Sequence, residues 1–381
     1  MKILIVASSY SPNIGGIQTA VRQIARHFRE AGHSVMIVTN RYPRRLPARD
    51  IIDGIAVVRL RFLLPRLQQL REARPDLYLA GVLFFPVTLF RLFFLVRRFA
   101  PDVVNLHYLG TPSLFVLTLH GLLHFHLVAS LHGGDATAEP LKNRFNRWVF
   151  RALAGRAGAV SSCSGYLAGQ AGGIAPEIGS KCVVIRNGVD TELFSQTPAH
   201  TQDRPYLFCV GRLELHKGFD TAIAAMHQVQ DTYPSLELLI GGSGSQEKVF
   251  AEEAARCGLA SRVKLLGRLD PKQIASYMRG SRAVIIPSRL ESLGIVALEA
   301  RVAMSTIIAS NVGGLREALE GYPVLWVSPD NVDELRRAIV AVMSGCPADP
   351  PSPAGSEVLQ TRVLSWSQPA ELYLNLYREI Q

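Results

Sequence analysis

The chain has 381 residues, 48% of them hydrophobic and 19% charged, which excludes a disordered polypeptide and leaves room for two domains of roughly 150–200 residues. Its formal net charge of +10 is uneven: residues 1–195 hold 23 Lys/Arg against 11 Asp/Glu, and the remainder 18 against 20. Five scattered cysteines (163, 182, 209, 257 and 346) lack any C-x-x-C spacing, which fits reduced thiols in a cytoplasmic protein and gives no hint of a metal site.

The opening MKILIVASSYSP reads as a strand carrying one lysine, without the apolar stretch and cleavage site of an export signal. SPNIGGIQTAVRQIARHF (11–28) then opens a helix. Gly15 and Gly16 permit close backbone approach, and the free N–H groups of a helix start suit an anion. A plain tight turn is the alternative. The spacing is not G-x-G-x-x-G, and the second strand ends in VTNRY with no acidic residue for a ribose, so a nicotinamide-dinucleotide reading is weak. No G-x-x-x-x-G-K-S/T occurs, and a nucleoside triphosphatase is unsupported.

Nine arginines fall between Arg41 and Arg74, interleaved with Leu, Phe and Ile. They form either a solvated surface or a basic, amphipathic face for anionic lipid or an anionic lipid-linked substrate. Nucleic acid is not expected, because no zinc-finger, helix-turn-helix or RNA-recognition motif accompanies the charge. The most apolar window, residues 77–99, is interrupted by Pro86 and Arg91 and ends in Arg97-Arg98. A spanning helix wants about 20 largely uncharged residues, so a membrane crossing is not expected.

DVVNLHY and LVASLHGGD place His107 and His132 at strand carboxyl ends, His132 beside two glycines and Asp135. A lone histidine is usually structural, but this placement favours a ligand-facing cleft. His120, His124 and His126 read as packing residues. The polar SQTPAHTQDRP (195–205) is the expected linker, after which strands restart with YLFCVGRL, LELLIGGSG, VKLLGRL, AVIIPSR, STIIASN and PVLWVSP. Continuous apolar runs separated by helices mean parallel sheets covered on both faces. The expected fold class is α/β: two Rossmann-like doubly wound domains, 1–195 and 196–365, facing across a cleft, with ligands at the carboxyl ends of strands.

VGRLELHKG (210–218) sets Gly211, Arg212 and Lys217 just after the second domain's first strand. Cations among glycines in that order suit a diphosphate better than they suit bare surface. IGGSGS (240–245) offers a second glycine turn at Gly242. PSRLESLGIVALEARVA (287–303) puts Glu291 in a loop, leads through Ser292, Leu293, Gly294 and Ile295 into a helix, and sets Glu299 about two turns along it. The two glutamates could be an acid/base pair, metal ligands, a solvated helix face or a grip on hydroxyls. On one helix they would lie about 80° and ~12 Å apart, too far to share a metal and wide for a glycosidase pair. A helix start between them welcomes phosphate. A nucleotide-sugar supplies sugar hydroxyls, diphosphate and ribose hydroxyls in that order.

The sequence of motifs, GGIQTAV, LHGGD, IRNGVDTELF, GRLELHKG, GGSG, E-x7-E and the terminal SWSQPAELYLNLYREI, resembles the retaining glycosyltransferases of the GT-B fold, in particular the GT4-like group 1 family, over nearly the whole chain. The resemblance implies a metal-independent enzyme without a cofactor, using a UDP-, GDP- or ADP-sugar as co-substrate. It implies Glu299 on the ribose hydroxyls, Glu291 toward the donor sugar, and the amides of Ser292 to Ile295 on diphosphate and sugar. Arg212 and Lys217 would neutralise the leaving diphosphate. Gly15, Gly16, Gly211 and Gly242 would approach the donor, His132 would sit beside the sugar, and Arg268 in the loop LLGRL would border the base. His107 and Asp135 belong on the acceptor side, and residues 366–381 would pack back on the first domain. Glu291-Ser-Leu-Gly294 stands where many relatives have E-x-F/Y-G, and Ile17-Gln18 where many have a proline; both departures touch the donor pocket. The implied reaction is front-face, retaining hexosyl transfer, and the basic, apolar first domain points to a glycan or lipid-linked acceptor of the cell envelope and to a peripheral place on the cytoplasmic membrane face. A nucleotide-sugar 2-epimerase of the same architecture and a non-catalytic membrane-binding scaffold are the rivals.

Overall fold

The computed structural model describes residues 1–13, 15–65, 69, 73–345 and 364–381. The chain divides into two units, Met1–Arg186 with Trp366–Gln381, and Asn187–Ser365. Cys346 lies outside the described residues, and Cys163, Cys182, Cys209 and Cys257 are not joined in disulfides.

In the first unit β1 (Lys2–Ala7), β2 (Ser34–Asn40), β3 (Arg49–Ile52), β4 (Ile55–Leu60), β5 (Val103–His107), β6 (His126–Leu131), β7 (Ala159–Ser162) and β8 (Cys182–Val184) form one sheet in the order β3-β4-β2-β1-β5-β6-β7-β8. The strands β1, β5, β6 and β7 bury nearly every residue, as a parallel sheet covered on both faces requires. Only β3 runs antiparallel, to β4, across a two-residue Asp53-Gly54 turn of the kind that closes hairpins. This hairpin corrects part of the basic face expected over Arg41–Arg74. Arg59 is buried, donating from Nη1 to Asp50 Oδ2 at 3.1 Å and from Nη2 to the Ser11 carbonyl at 3.0 Å. A guanidinium can leave water there because acceptors surround it. Arg74 pairs with Asp76, and Arg66 and Arg71 lie outside the described residues.

The helix α1 (Gly16–Glu30) turns Ala20, Val21, Ile24, Ala25 and Phe28 inward at helical spacing. The C-terminal helix Ser367–Glu379 packs against it, with the Tyr377 and Phe28 rings 5.7 Å apart. Its tyrosines end a buried polar chain. Asn105 Nδ2 donates to Tyr377 Oη at 2.6 Å, Ser130 Oγ to Asn105 Oδ1 at 2.8 Å, and Ser161 Oγ to Ser130 Oγ at 2.8 Å, with Tyr373 Oη 2.9 Å from Ser161 Oγ. Buried polar groups left single cost about 1–3 kcal/mol each, so the chain fixes the helix over β5, β6 and β7.

The apolar window 77–99, interrupted in sequence by Pro86 and Arg91, lies within one continuous helix, α2 (Pro75–Phe99). Proline removes a hydrogen bond to the residue four earlier, and here that residue, Val82, is exposed, so water can take its carbonyl. Next come α3 (Pro112–Leu123), α4 (Arg144–Arg156) and α5 (Gly165–Ile174); α2 packs on α3 and α3 on α4.

The second unit begins with α6 (Thr191–Gln196) and continues β9 (Tyr206–Val210), α7 (Phe219–Val229), β10 (Glu237–Gly241), α8 (Glu247–Arg256), β11 (Val263–Gly267), α9 (Pro271–Gly280), β12 (Ala283–Ile286), α10 (Ile295–Val302), β13 (Ile307–Ser310), β14 (Val324–Val327) and α11 (Val332–Met343). Its parallel sheet has the order β11-β10-β9-β12-β13-β14. That is the doubly wound order, whose direction reverses between β9 and β12. The expected linker 195–205 is not one: α6 packs on α9 and α10, and Ser276 Oγ donates to the Pro198 carbonyl at 2.9 Å. Burial of Phe194 draws this segment into the second unit, and the division falls at Arg186/Asn187.

Candidate functional site

Crevices in doubly wound sheets form outside the strand ends where the winding reverses. In the second unit the loops after β9 and β12 flank that point, and they carry the charged residues singled out in the sequence. A single turn, Leu215–Lys217, follows β9. Lys217 Nζ forms an ion pair with Glu291 Oε1, their side chains 18% and 13% exposed. The same carboxylate oxygen accepts from Ser288 Oγ at 3.1 Å. The loop between is pinned from outside: Arg289 donates to both Asp220 oxygens at 3.0 and 2.7 Å and lies 2.6 Å from Asp330. From the other side, Gly314 N–H donates to the Glu291 carbonyl at 3.0 Å.

Gly294 has φ +86°, outside helical geometry, so α10 starts at Ile295. Glu299 therefore lies one turn into the helix, not two. The first N–H groups of α10 have no partner within the helix and give this end positive character. Glu299 is half-buried, and burial pushes its carboxyl up to about 7. Leu293 is buried, whereas Ser292 and Ile295 are half-buried.

Gly242 has φ +136°, and a methyl group on it would overlap the Gly211 carbonyl. The turns after β9 and β10 thus touch backbone to backbone. Beside them Arg268 Nε donates to Ser243 Oγ at 3.0 Å. Glu214 accepts from Ser245 Oγ at 2.9 Å and from its N–H at 3.3 Å, bonds that hold its carboxyl below the usual range. Arg212 is exposed. Burial first, then the charges of Lys217 and Arg212, pull the His216 imidazole below its ordinary value.

In the first unit, Gly15 caps α1 and Gly16 opens it. His107 Nδ1 lies 2.9 Å from His132 Nε2, the rings stacked 5.1 Å apart. Burial lowers both imidazoles, His132 to about 4 and His107 well below its ordinary value. Asp135 is fully buried, accepting from the N–H groups of Gly133 (2.7 Å), Leu109 (3.1 Å) and His132 (3.1 Å). Burial nonetheless pushes it up to about 6. His107 braces the His132 ring, and Asp135 holds the loops around it while also lining the cavity on this side. A cavity of about 230 Å³ opens beside them, with Ser8, Tyr108, Thr111 and Asn146 among its polar walls and Leu109 and Phe150 among its apolar ones.

The sequence reading missed Ser288 as a Glu291 partner, the Arg289–Asp220–Asp330 clasp and the Glu214–Ser245 contact. Only Ser288, three residues before Glu291, left a local signal. Among the described residues no three His, Cys, Asp or Glu side chains converge as a metal cluster would.

Residues 190–348 match the family Glycosyl transferases group 1, and residues 14–193 match Glycosyltransferase Family 4. The chain belongs to the group 1, GT4-like glycosyltransferases. This glycosyltransferase is 26% identical to the Mycobacterium tuberculosis glycogen synthase over 90% of its length and 86% of that protein's. It is 28% identical to the phosphatidyl-myo-inositol mannosyltransferase of Mycolicibacterium smegmatis, over 86% of its length and 81% of that protein's. Among solved structures it resembles a sucrose-phosphate synthase from Thermosynechococcus elongatus, with TM-score 0.79, 21% identity and coverage of 100% and 99%. Anabaena HepE in complex with UDP gives TM-score 0.75 at 18% identity, covering 100% of both chains. The two parallel-sheet α/β units of this glycosyltransferase therefore have the GT-B fold.

Proposed function

We propose that the protein transfers a hexosyl group from a nucleotide-sugar to a glycan or lipid-linked acceptor of the cell envelope, with retention and without a metal, as a peripheral protein on the cytoplasmic face of the membrane. The observation that carries the reading is the Lys217–Glu291–Ser288 cluster at the β9/β12 reversal, directly before the positive start of α10 and one turn from Glu299. Phosphate oxygens bind at the helix start beside Lys217 and Arg212, Glu291 accepts from sugar hydroxyls, and Glu299 accepts from ribose hydroxyls. As the bond from the anomeric carbon to the phosphate oxygen breaks, negative charge grows on the leaving diphosphate, where fixed cations stabilise it most. The same departing oxygen takes the proton of the attacking acceptor hydroxyl on that face. The mixed polar and apolar cavity of the first unit suits an acceptor with both characters.

A uridine nucleotide is favoured because the similar HepE was solved with UDP. A phosphatidylinositol-type acceptor is in keeping with the name of the similar mannosyltransferase. Calorimetric titration with UDP-, GDP- and ADP-sugars tests the proposal, with one of them binding and Glu299→Ala or Lys217→Ala weakening it. If none binds, or both variants bind like wild type, the reading fails. Donor incubated without acceptor separates the epimerase rival, which alone converts it to an isomer.

A further inference from the structure

We propose that α2 docks this protein onto an anionic phospholipid surface by lying in the interface, not by crossing it. Leu79, Leu83, Phe90 and Phe94 are 65%, 68%, 64% and 53% exposed. Their spacing places them on one side of the helix, an apolar stripe with no cover from the described residues. The opposite side is fastened. Thr88 Oγ1 donates to the Arg61 carbonyl at 2.8 Å, Leu92 and Val96 are buried, and a methyl group on Gly81 would meet the backbone of Leu64 and Pro65.

The helix is long and apolar enough to span a bilayer. It joins β4 to β5 of the same sheet and is bound to its unit along its length, so spanning would tear it from the fold. A helix so held can bury only its outer stripe, as interfacial helices do.

Charge selects the occupant. Arg91, Arg97 and Arg98 are exposed on the same helix, whose one acidic residue, Asp76, pairs with Arg74 at the far end. Beyond α3, α4 adds exposed Arg144, Arg147 and Trp148. A second copy placed symmetrically on this stripe would set arginines against arginines. A bilayer with anionic headgroups takes the apolar stripe and neutralises the arginines, whose stems reach outward to the headgroups. The inference rests on the membrane-surface reading above and moves the contact from the Arg41–Arg74 segment to α2.

The test is flotation of the full chain with POPC vesicles containing roughly 30% POPG and with POPC alone. Wild type should float with POPG vesicles, and the exposed-site pair Leu83→Asp/Phe90→Asp should lose at least about tenfold in partition. Arg97→Glu/Arg98→Glu should weaken binding to POPG vesicles only. Wild type that stays unbound, or an aspartate pair that floats as well as wild type, overturns the proposal. So does a sedimenting dimer that the aspartate pair dissolves without any vesicle binding, which would give the face to a second copy. UDP titration of the same samples keeps the two readings apart: the aspartate pair should bind nucleotide like wild type, and a wild type that floats yet binds no nucleotide overturns the donor assignment and upholds docking.

Discussion

The loops after β5 and β6 in the first unit and those after β9 and β12 in the second occupy equivalent ends of two parallel sheets, yet they treat charge oppositely. In the first, burial lowers His107 and His132 and raises Asp135, and each polar atom that is bonded is bonded to a ring or a backbone N–H. In the second, Lys217 and Glu291 keep an ion pair that retains some exposure. Depth decides the difference, since taking a charge fully out of water costs more than a single partner returns. A discharged cluster can shape a wall and orient a ring. A charged one can bind an anion and respond to charge that develops during a reaction.

Breaking the charged cluster should give the largest effect. Lys217→Ala removes the cation from the proposed phosphate position and leaves Glu291 with Ser288 alone, so kcat should fall about 10²–10³-fold while circular dichroism stays native. Equal loss on His107→Asn would erase the contrast between the two clusters. Next in size is Gly242→Ala, which forces a side chain into left-handed backbone and against the Gly211 carbonyl. It should lower stability by about 2–4 kcal/mol in urea unfolding, with no comparable effect from Gly121→Ala, where the added methyl meets nothing.

Acid should sharpen the comparison. Glu299 has its carboxyl raised to about 7 by burial, so the empty site holds a proton there below that pH. Accepting ribose hydroxyls with both oxygens requires the carboxylate, so nucleotide affinity should fall toward tenfold per pH unit below about 7. Glu299→Gln should flatten the profile. The stability effect has its own sign: a raised acid contributes fully below its unfolded value and loses that contribution as pH rises through about 7. Wild type should therefore lose stability relative to Glu299→Gln as pH rises through that range. A titration slope unchanged by Glu299→Gln would place the ribose elsewhere.

Both sheets were legible because their strands are unbroken apolar runs, such as ILIVA in β1 and AVII in β12. The hairpin β3–β4 was not, because its arginines drew attention from the Asp53-Gly54 turn between them. Pro86 and Arg91 interrupt the apolar run in the sequence, and whether a helix continues through them depends on which side of it meets water, which the sequence alone does not show. Lys217 and Glu291 were each legible as strand-end residues, but their pairing spans a sequence gap that only the β9–β12 adjacency closes. The position of Glu299 along α10 slipped by a turn because Gly294 delays the helix start. His107 and Asp135 were legible as strand-end residues, but their burial and their bonds to the His132 ring and the loop N–H groups were not.

The smallest effect should come from the discharged side. Tyr373 Oη lies 2.9 Å from Ser161 Oγ at the end of the buried chain that continues through Ser130 and Asn105 to Tyr377. Tyr373→Phe removes one neutral hydrogen bond and keeps the ring 5.8 Å from His107, so unfolding in urea should shift by only about 1 kcal/mol. Nucleotide affinity should not move, because every member of this hydrogen-bonded chain belongs to the first unit. Asn105→Ala should cost more, since it removes the donor to Tyr377 Oη and the acceptor of Ser130 Oγ together, and combining it with Tyr373→Phe should give less than the sum, as expected of residues in one network. Strict additivity would mean that the C-terminal helix is held by its apolar face alone, with the polar chain a bystander.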